Sequence, residues 1–532
     1  MNFSLKAVRL TGLLFIILSV LATSPLQSMG QGNNDASVYE RLLRIEIPVK
    51  SDNETYRLIP LSEEGVLLFY KSIEMVDPGK VKWYFSLYDA DLKLVWSKGV
   101  ALDNYLEYKY NSTGKDTLDL LFRSNGKEKA LDNNCQLLRL IVTKGVFIVI
   151  AQTLPEEADV VGFKVVRNNA YIGFNVKNTP SQIFRVEMST GRHRGIQLNQ
   201  AEPSLLFEFI VDTIDGKMIA AVKKPFGKNQ SGFFLSVFDS AGQQINEVNV
   251  NSFSDEYELK SIRFFPLAAD EFIVLGTYGG SSGQKSMTKN KPPEESSGFY
   301  ATRILSNKQQ SITLYNFLDL KNANMLVGAN EIESLKKKAD KKNKALNEYS
   351  IDLTLLLHPI ILEDQAFTLV AESFSPQYHT ENFTDFDFYG RPFTNSYSVF
   401  DGYRFKNAIL VSFDKNGKLL WDHSMEIRNI VSFELTPRVC IFPSGANDVM
   451  AYLSEGKVAS KIIHKGDVIE KIDFSPVDLG YPKDKLVLET KSKIVPWFRN
   501  FFLCYGYQEI KNVSLESNNK RLVFYFNKIR FD

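Results

Sequence analysis

The sequence predicts an all-β fold, a single-ring β-propeller of about eight four-stranded blades, and three observations predict it. One hairpin recurs. Phe85-Ser-Leu-Tyr-Asp-Ala-Asp-Leu-Lys-Leu-Val-Trp96 is repeated as Leu235-Ser-Val-Phe-Asp-Ser-Ala-Gly-Gln-Gln-Ile-Asn246 and as Leu410-Val-Ser-Phe-Asp-Lys-Asn-Gly-Lys-Leu-Leu-Trp421. Looser copies lie near Phe184–Ile196 and Lys461–Ile472. The spacing, about 50 residues, is that of hairpin-rich repeats stacked around an axis. Finally, runs of about five to nine residues rich in Phe, Tyr, Val and Ile alternate with Asn, Asp, Gly and Lys turns almost to the C-terminus.

The N-terminus reads as a leader. Lys6 and Arg9 precede the apolar run Leu10–Ala22, and Ser28 and Gly30 suit a cut before Gln31. The apolar run is shorter than the ~20 residues needed to span a bilayer, and nothing later in the chain is a spanning candidate. Residues 1–30 are therefore expected to be a signal peptide, with a polar linker over 31–39 and the propeller over 40–532. Lys6 and Arg9 leave with the signal, so 61 basic residues face 62 acidic ones. A near-neutral surface gives no electrostatic case for nucleic acid. Export to the periplasm or cell surface is the expected destination.

Blades are expected at about 55–102, 103–155, 157–200, 203–252, 257–317, 318–427 and 432–476. An eighth combines Ile494–Asp532 with the N-terminal strand Leu42–Val49, closing the ring with a strand from the other terminus. Seven blades is the alternative, because strand boundaries in 477–500 are weak. Cys135, Cys440 and Cys504 lie in or beside apolar strands and read as buried free thiols rather than a disulfide framework.

Two insertions break the repeat. Residues 318–347 carry the helical spacing Ile332, Leu335, Ala339 and six lysines over Lys336–Lys344. They read either as a basic arm for an acidic partner or as a solvated helix. Residues 374–405 hold eleven Phe or Tyr residues interleaved with Asp385, Asp387, Arg391, Asp401 and Arg404. Flat rings with hydrogen-bonding edges are the chemistry of protein or glycan recognition. The competing reading is a long irregular loop that folds onto the propeller and buries its own rings. Gly279–Ser297 reads as a flexible Gly/Ser/Pro loop.

Chemical motifs are sparse. Asp385–Gly390 imitates the start of a calcium loop, but its later ligand positions hold Tyr389 and Ser396. The five histidines have no His or Cys at zinc spacing. His193 and His464 fall in turns, and His358 reads as a satisfied core histidine. His379, in the aromatic insertion, is the one worth testing. No nucleophile elbow, phosphate loop or zinc-protease motif is present. The expectation is therefore no catalytic residue, no metal and no cofactor.

The hairpin Asp414–Trp421 resembles the blade motif of quinoprotein-type propellers, in which a turn Gly precedes an inter-blade Trp. Only Trp96 and Trp421 occupy that position, and the dedicated ligands of a quinone are missing, so the resemblance implies fold and not redox chemistry. Tyr389-Gly-Arg-Pro392, Val399-Phe-Asp-Gly-Tyr-Arg404, Leu419-Leu-Trp-Asp422 and Phe502-Leu-Cys-Tyr-Gly-Tyr-Gln508 resemble uncharacterised exported β-propeller-like proteins of Bacteroidetes-type bacteria. That resemblance implies export and a repeated β fold and carries no activity. The function expected is binding or scaffolding of an envelope protein or glycan, through Tyr378, Tyr389, Arg391, Tyr397, Asp401, Tyr403 and Arg404. The alternative is a carbohydrate-active or other hydrolytic enzyme with carboxylates meeting at the propeller axis.

Overall fold

The computed structural model describes residues 39–531, except 53, 125–132, 199–201, 227–229, 255, 269, 281–293, 323, 328, 343–348, 445–446 and 513–519. The expected signal, residues 31–38 of the expected linker, Lys344 and most of the Gly279–Ser297 segment lie outside the described residues, while Tyr39, placed at the linker's end, already begins a strand opposite Phe531. The remainder is all-β apart from short helical pieces. Eight sheets follow one another along the chain; seven are four-stranded, and one, built on residues 353–426, is enlarged to seven strands.

Each sheet is a blade of antiparallel neighbours. Blade 1 covers 57–103, blade 2 106–153, blade 3 159–197, blade 4 205–250, blade 5 257–316, blade 6 353–426 and blade 7 440–476. Blade 8 orders Asp484–Pro496, Phe501–Asn512 and Lys520–Phe531, and Tyr39–Pro48 adds the outermost strand. Ring closure by an N-terminal strand is therefore as the sequence predicts. Blade 8 begins at Asp484, earlier than expected, because Asp484–Leu486 already pair with Ile510–Asn512. Bulges between Leu486 and Leu488 and between Thr490 and Lys493 break the two-residue alternation that would have marked the strand.

The blades pack face to face in sequence order. Trp83 meets Phe122 (ring centroids 4.9 Å) between blades 1 and 2, and Tyr315 meets Phe413 (5.6 Å) between blades 5 and 6. Phe442 meets Phe502 (3.9 Å) between blades 7 and 8, and Tyr56 stacks on Phe524 (5.0 Å) where blade 8 meets blade 1. Middle strands are covered on both faces, so the blade 5 strand Glu271–Gly280 is buried almost throughout, whereas the outer strand Asp467–Pro476 is largely exposed. Continuous apolar runs in the middle strands follow from that double burial.

The recurring hairpin is the outer pair of blades 1, 4 and 6. Its Asp accepts the backbone N–H groups two and four residues on. Asp89 Oδ1 accepts from Asp91 and Lys93 (both 2.9 Å), and Asp239 Oδ1 from Ala241 (2.9 Å) and Gln243 (2.8 Å). Asp414 Oδ1 does the same for Asn416 (2.8 Å) and Lys418 (2.9 Å). The turn needs a left-handed residue three after the Asp, supplied by Gly242 (φ 82°) and Gly417 (φ 81°), with Leu92 (φ 57°) forced into that role in blade 1.

That turn also locks neighbouring blades. Trp96 lies against Gly145, Ile150 against Gly191, Ile196 against Gly242 and Trp421 against Gly466, each time an outer-strand side chain on the turn glycine of the next blade. A Cβ on Gly466 would stand 2.8 Å from Trp421 Cβ. The glycines that let the turn close also let the next blade approach.

The helical insertion is Asn324–Val327 and Ala329–Lys342, between blades 5 and 6. Ile332 and Ala339 are buried, and Ile332 packs with Leu318 and Ile351, while Lys336, Lys337, Lys338, Lys341 and Lys342 face solvent. No helix among the described residues is long and apolar enough to cross a membrane.

Candidate functional site

The aromatic insertion is not an irregular loop. The two middle strands of blade 6, Ala366–Phe386 and Pro392–Phe413, run on beyond the blade as one hairpin, paired residue by residue up to Phe386 opposite Pro392. From Gln377 to its tip this arm extends roughly 30 Å, at about 3.3 Å per strand residue. Its tip repeats the blade turn: Asp387 Oδ1 accepts from Tyr389 and Arg391 (both 2.9 Å) and Gly390 takes the left-handed position (φ 74°). The aspartate that imitated a calcium ligand is a turn residue. Among the described residues no group of three His, Cys, Asp or Glu side chains could hold a metal.

Burial is confined to the root. Phe374 and Phe405 are buried, and Tyr403 packs edge-on against Phe374 and Phe400. The short strand Val431–Ser432 pairs with Tyr403 and Arg404 and braces the root from one side. Beyond it both faces are exposed. One face carries Tyr378 opposite Phe400, then Thr380, Ser398, Asn382, Ser396, Thr384 and Thr394. The other carries His379 opposite Val399, then Glu381 opposite Tyr397, and Phe383. Phe388 is 98% exposed at the tip, and Tyr389 is 77% exposed with the Arg391 guanidinium 5.2 Å from its ring centre.

The seven residues expected to bind do not form one cup. Tyr389 and Arg391 share the tip, Tyr378 and Tyr397 lie on opposite faces, and Tyr403 belongs to the packed root. Arg404 is exposed near the root, where Gln377, with its amide oxygen turned toward it, accepts from Arg404 Nε (2.6 Å). Asp401 accepts from His379 Nδ1 at 2.6 Å, and Glu381 binds both His379 Nε2 (3.2 Å) and the Tyr397 hydroxyl. Glu381 was missed from sequence, where nothing but its two-residue offset from His379 signals the pairing.

His379 gains acidic partners on both ring nitrogens, so Glu381 first and Asp401 second push its pKa above the ordinary histidine value. A raised folded pKa means that the stabilising contribution is complete below the unfolded value and is lost as pH rises through the folded one. An NMR titration of the imidazole should place its midpoint above that of a free histidine, and Asp401→Asn should bring it down. A midpoint at or below the ordinary value would show that the triad does not form.

On and between the inner strands, carboxylates that make ion pairs meet cations: Glu208 lies 3.9 Å from Arg263, and Glu434 lies 3.8 Å from Arg57. Burial pushes Glu208 up and Arg263 pulls it back. A close carboxyl pair, Glu363 and Asp448, lies at the opposite end of blade 6 from the arm. There burial and the adjacent Asp448 push Glu363 up to about 7. His358 is the satisfied core histidine expected, its Nε2 2.8 Å from Glu372 Oε1. The three cysteines are free, and burial pushes Cys135 and Cys440 up to about 12.

No known protein family matches the chain, and no curated protein matches it. Similar solved structures include the polysaccharide lyase Uly1, 10% identical, covering 79% of this chain and 89% of that one with a TM-score of 0.35. The β-propeller domain of the Trilobed protease from Pyrococcus furiosus is 9% identical over 79% of this chain and 96% of its own, with a TM-score of 0.34. The dihydro-heme d1 dehydrogenase NirN is 8% identical over 86% and 76%, with a TM-score of 0.41. The class defined by the strand order is the all-β propeller.

Proposed function

We propose that this is an exported binding or scaffolding protein of the periplasm or cell surface, which recognises an envelope protein or glycan through the blade 6 arm. The observation that carries the reading is the projecting hairpin with large rings held out in water. An isolated two-stranded hairpin is marginal by itself, and a partner that covers its exposed rings would supply the apolar contact the arm lacks. Export rests on the leader-like N-terminus.

The test shortens the arm without disturbing the blade. Residues 379–399 are replaced by Asn-Gly, so that Tyr378 and Phe400 flank a tight turn above the paired root. Mature protein with and without the arm is compared for binding to envelope extract and to a glycan panel. The shortened protein should melt at the same temperature and lose the partner. At the tip, Tyr389→Ala should weaken binding about thirtyfold, the scale of a buried aromatic anchor. Retention of the partner by the shortened protein would overturn the proposal.

A further inference from the structure

Three cations from three blades converge beside the arm root, at the mouth of the axis. Arg57 starts the inner strand of blade 1, Arg438 precedes that of blade 7, and Lys493 lies in that of blade 8. All three hold the connection that enters blade 7. The Arg57 guanidinium lies 3.8 Å from the Glu434 carboxylate, Arg438 Nη2 donates to the Glu434 carbonyl (3.0 Å) and to Ser432 Oγ, and Lys493 Nζ donates to Thr436 Oγ1 at 3.3 Å. Arg438 also stands over the Phe405 ring, 5.5 Å from its centre. Tyr505 pairs with Lys493 across the strand ladder.

The charges balance only in part: burial lowers the Arg438 pKa, and Glu372 and then Glu434 oppose that fall without cancelling it. Among the described residues no carboxylate lies within ion-pair distance of Lys493 or Arg438, and the nearby Glu434 is more than half exposed. Glu372, behind Arg438, is already occupied by His358 and by the Arg438 and Val439 backbone N–H groups. Burial, then Arg438, push Lys493 down to about 8, with Arg57 adding to the fall and Glu434 opposing it. Burial pushes the Tyr505 phenol up to about 12, so at neutral pH it is a hydrogen-bond donor. Arg438 is buried and Lys493 half-buried, while the Arg57 side chain is 41% exposed; a buried cation is ordinarily matched by an acid, because an uncompensated buried charge is costly. Two guanidinium groups, an ammonium and a phenol make a complete donor set for an oxyanion.

We propose that this axial mouth is an anion-binding site that takes a carboxylate, sulfate or phosphate group between Arg57, Arg438 and Lys493. The site is separate from the arm's exposed rings and does not depend on what they bind. Glu434 acts as its internal competitor, holding Arg57 when the site is empty.

The test uses the mature full-length protein in calorimetric titrations with sodium sulfate, sodium phosphate and sodium galacturonate, against sodium chloride at matched ionic strength. Saturable binding of an oxyanion is expected, and preference for galacturonate over the inorganic ions would identify a sugar acid rather than a free ion as the source. Lys493→Met, which keeps the apolar stem and removes the unpaired charge, should weaken binding about tenfold while leaving the melting temperature of the anion-free protein unchanged or raised. Glu434→Gln should tighten binding. Absence of saturable binding for all three anions overturns the proposal, as does binding unaltered in both variants.

Discussion

Replacing Arg44 by alanine is expected to destabilise the protein by about 3–5 kcal/mol, the cost of stranding the partners of a buried charge. Arg44 lies on the N-terminal strand that closes the ring, and its side chain is 1% exposed. Its Nε donates to Glu46 (2.7 Å), one Nη to Asn527 Oδ1 (3.1 Å) and the Asp478 carbonyl (3.2 Å), and the other Nη to Gln508 Oε1 (2.8 Å). The guanidinium also covers the Tyr525 ring at 4.5 Å. Gln508 and Tyr525 in turn donate to Glu489 Oε1 (2.9 and 2.7 Å), so the network ties all four strands of blade 8 together. Arg44→Lys should recover little, since one ammonium cannot reach acceptors arranged around a planar fork. Urea unfolding followed by tryptophan fluorescence measures both variants. Because the strand comes from the far end of the chain, the loss should appear mainly as faster unfolding, and a change under 1 kcal/mol would show that the closing strand is held by its backbone ladder alone.

The fold was legible because its repeating unit is local. Asp239 with Gly242 and Asp414 with Gly417 state a turn within five residues, and Trp96 and Trp421 mark the junctions four residues after the turn's left-handed position. Double burial of the middle strands, as in Phe272–Leu275, writes continuous apolar runs that survive in any register. The arm was legible in composition and not in conformation. A strand exposed on both faces has no apolar alternation, so Tyr378–Phe386 gives none of the periodicity that identifies a half-buried strand. Its one local sign was Asp387-Phe-Tyr-Gly390, the blade turn again, which also matches the opening of a calcium loop. The cationic mouth could not be read at all. Arg57, Arg438 and Lys493 lie far apart along the chain, and only closure of the ring brings blades 1, 7 and 8 onto one segment.

The second large effect is expected at Glu372, where blade 6 meets blade 7. This carboxylate is wholly buried in a middle strand. Its Oε1 accepts from the backbone N–H groups of Arg438 and Val439 (both 2.8 Å) and lies 2.8 Å from His358 Nε2; Oε2 reaches the Arg438 N–H at 3.0 Å. Those two N–H groups precede the inner strand of blade 7 and have no ladder partner there, so the carboxylate stands in for a missing strand. Glu372→Ala leaves two buried donors and a partly buried imidazole unmet, at about 1–3 kcal/mol each before relaxation, for a loss of about 3–5 kcal/mol. Glu372→Gln keeps an accepting oxygen and should cost less than half as much. A double-mutant cycle with His358→Phe separates the two roles. If the imidazole serves only to satisfy the carboxylate, the coupling should reach 1–3 kcal/mol, and a coupling near zero would assign the whole effect to the backbone of Arg438 and Val439. In that case Glu372 places the Arg438 guanidinium at the axial mouth, and Glu372→Gln should weaken anion binding although the side chain lies behind the site.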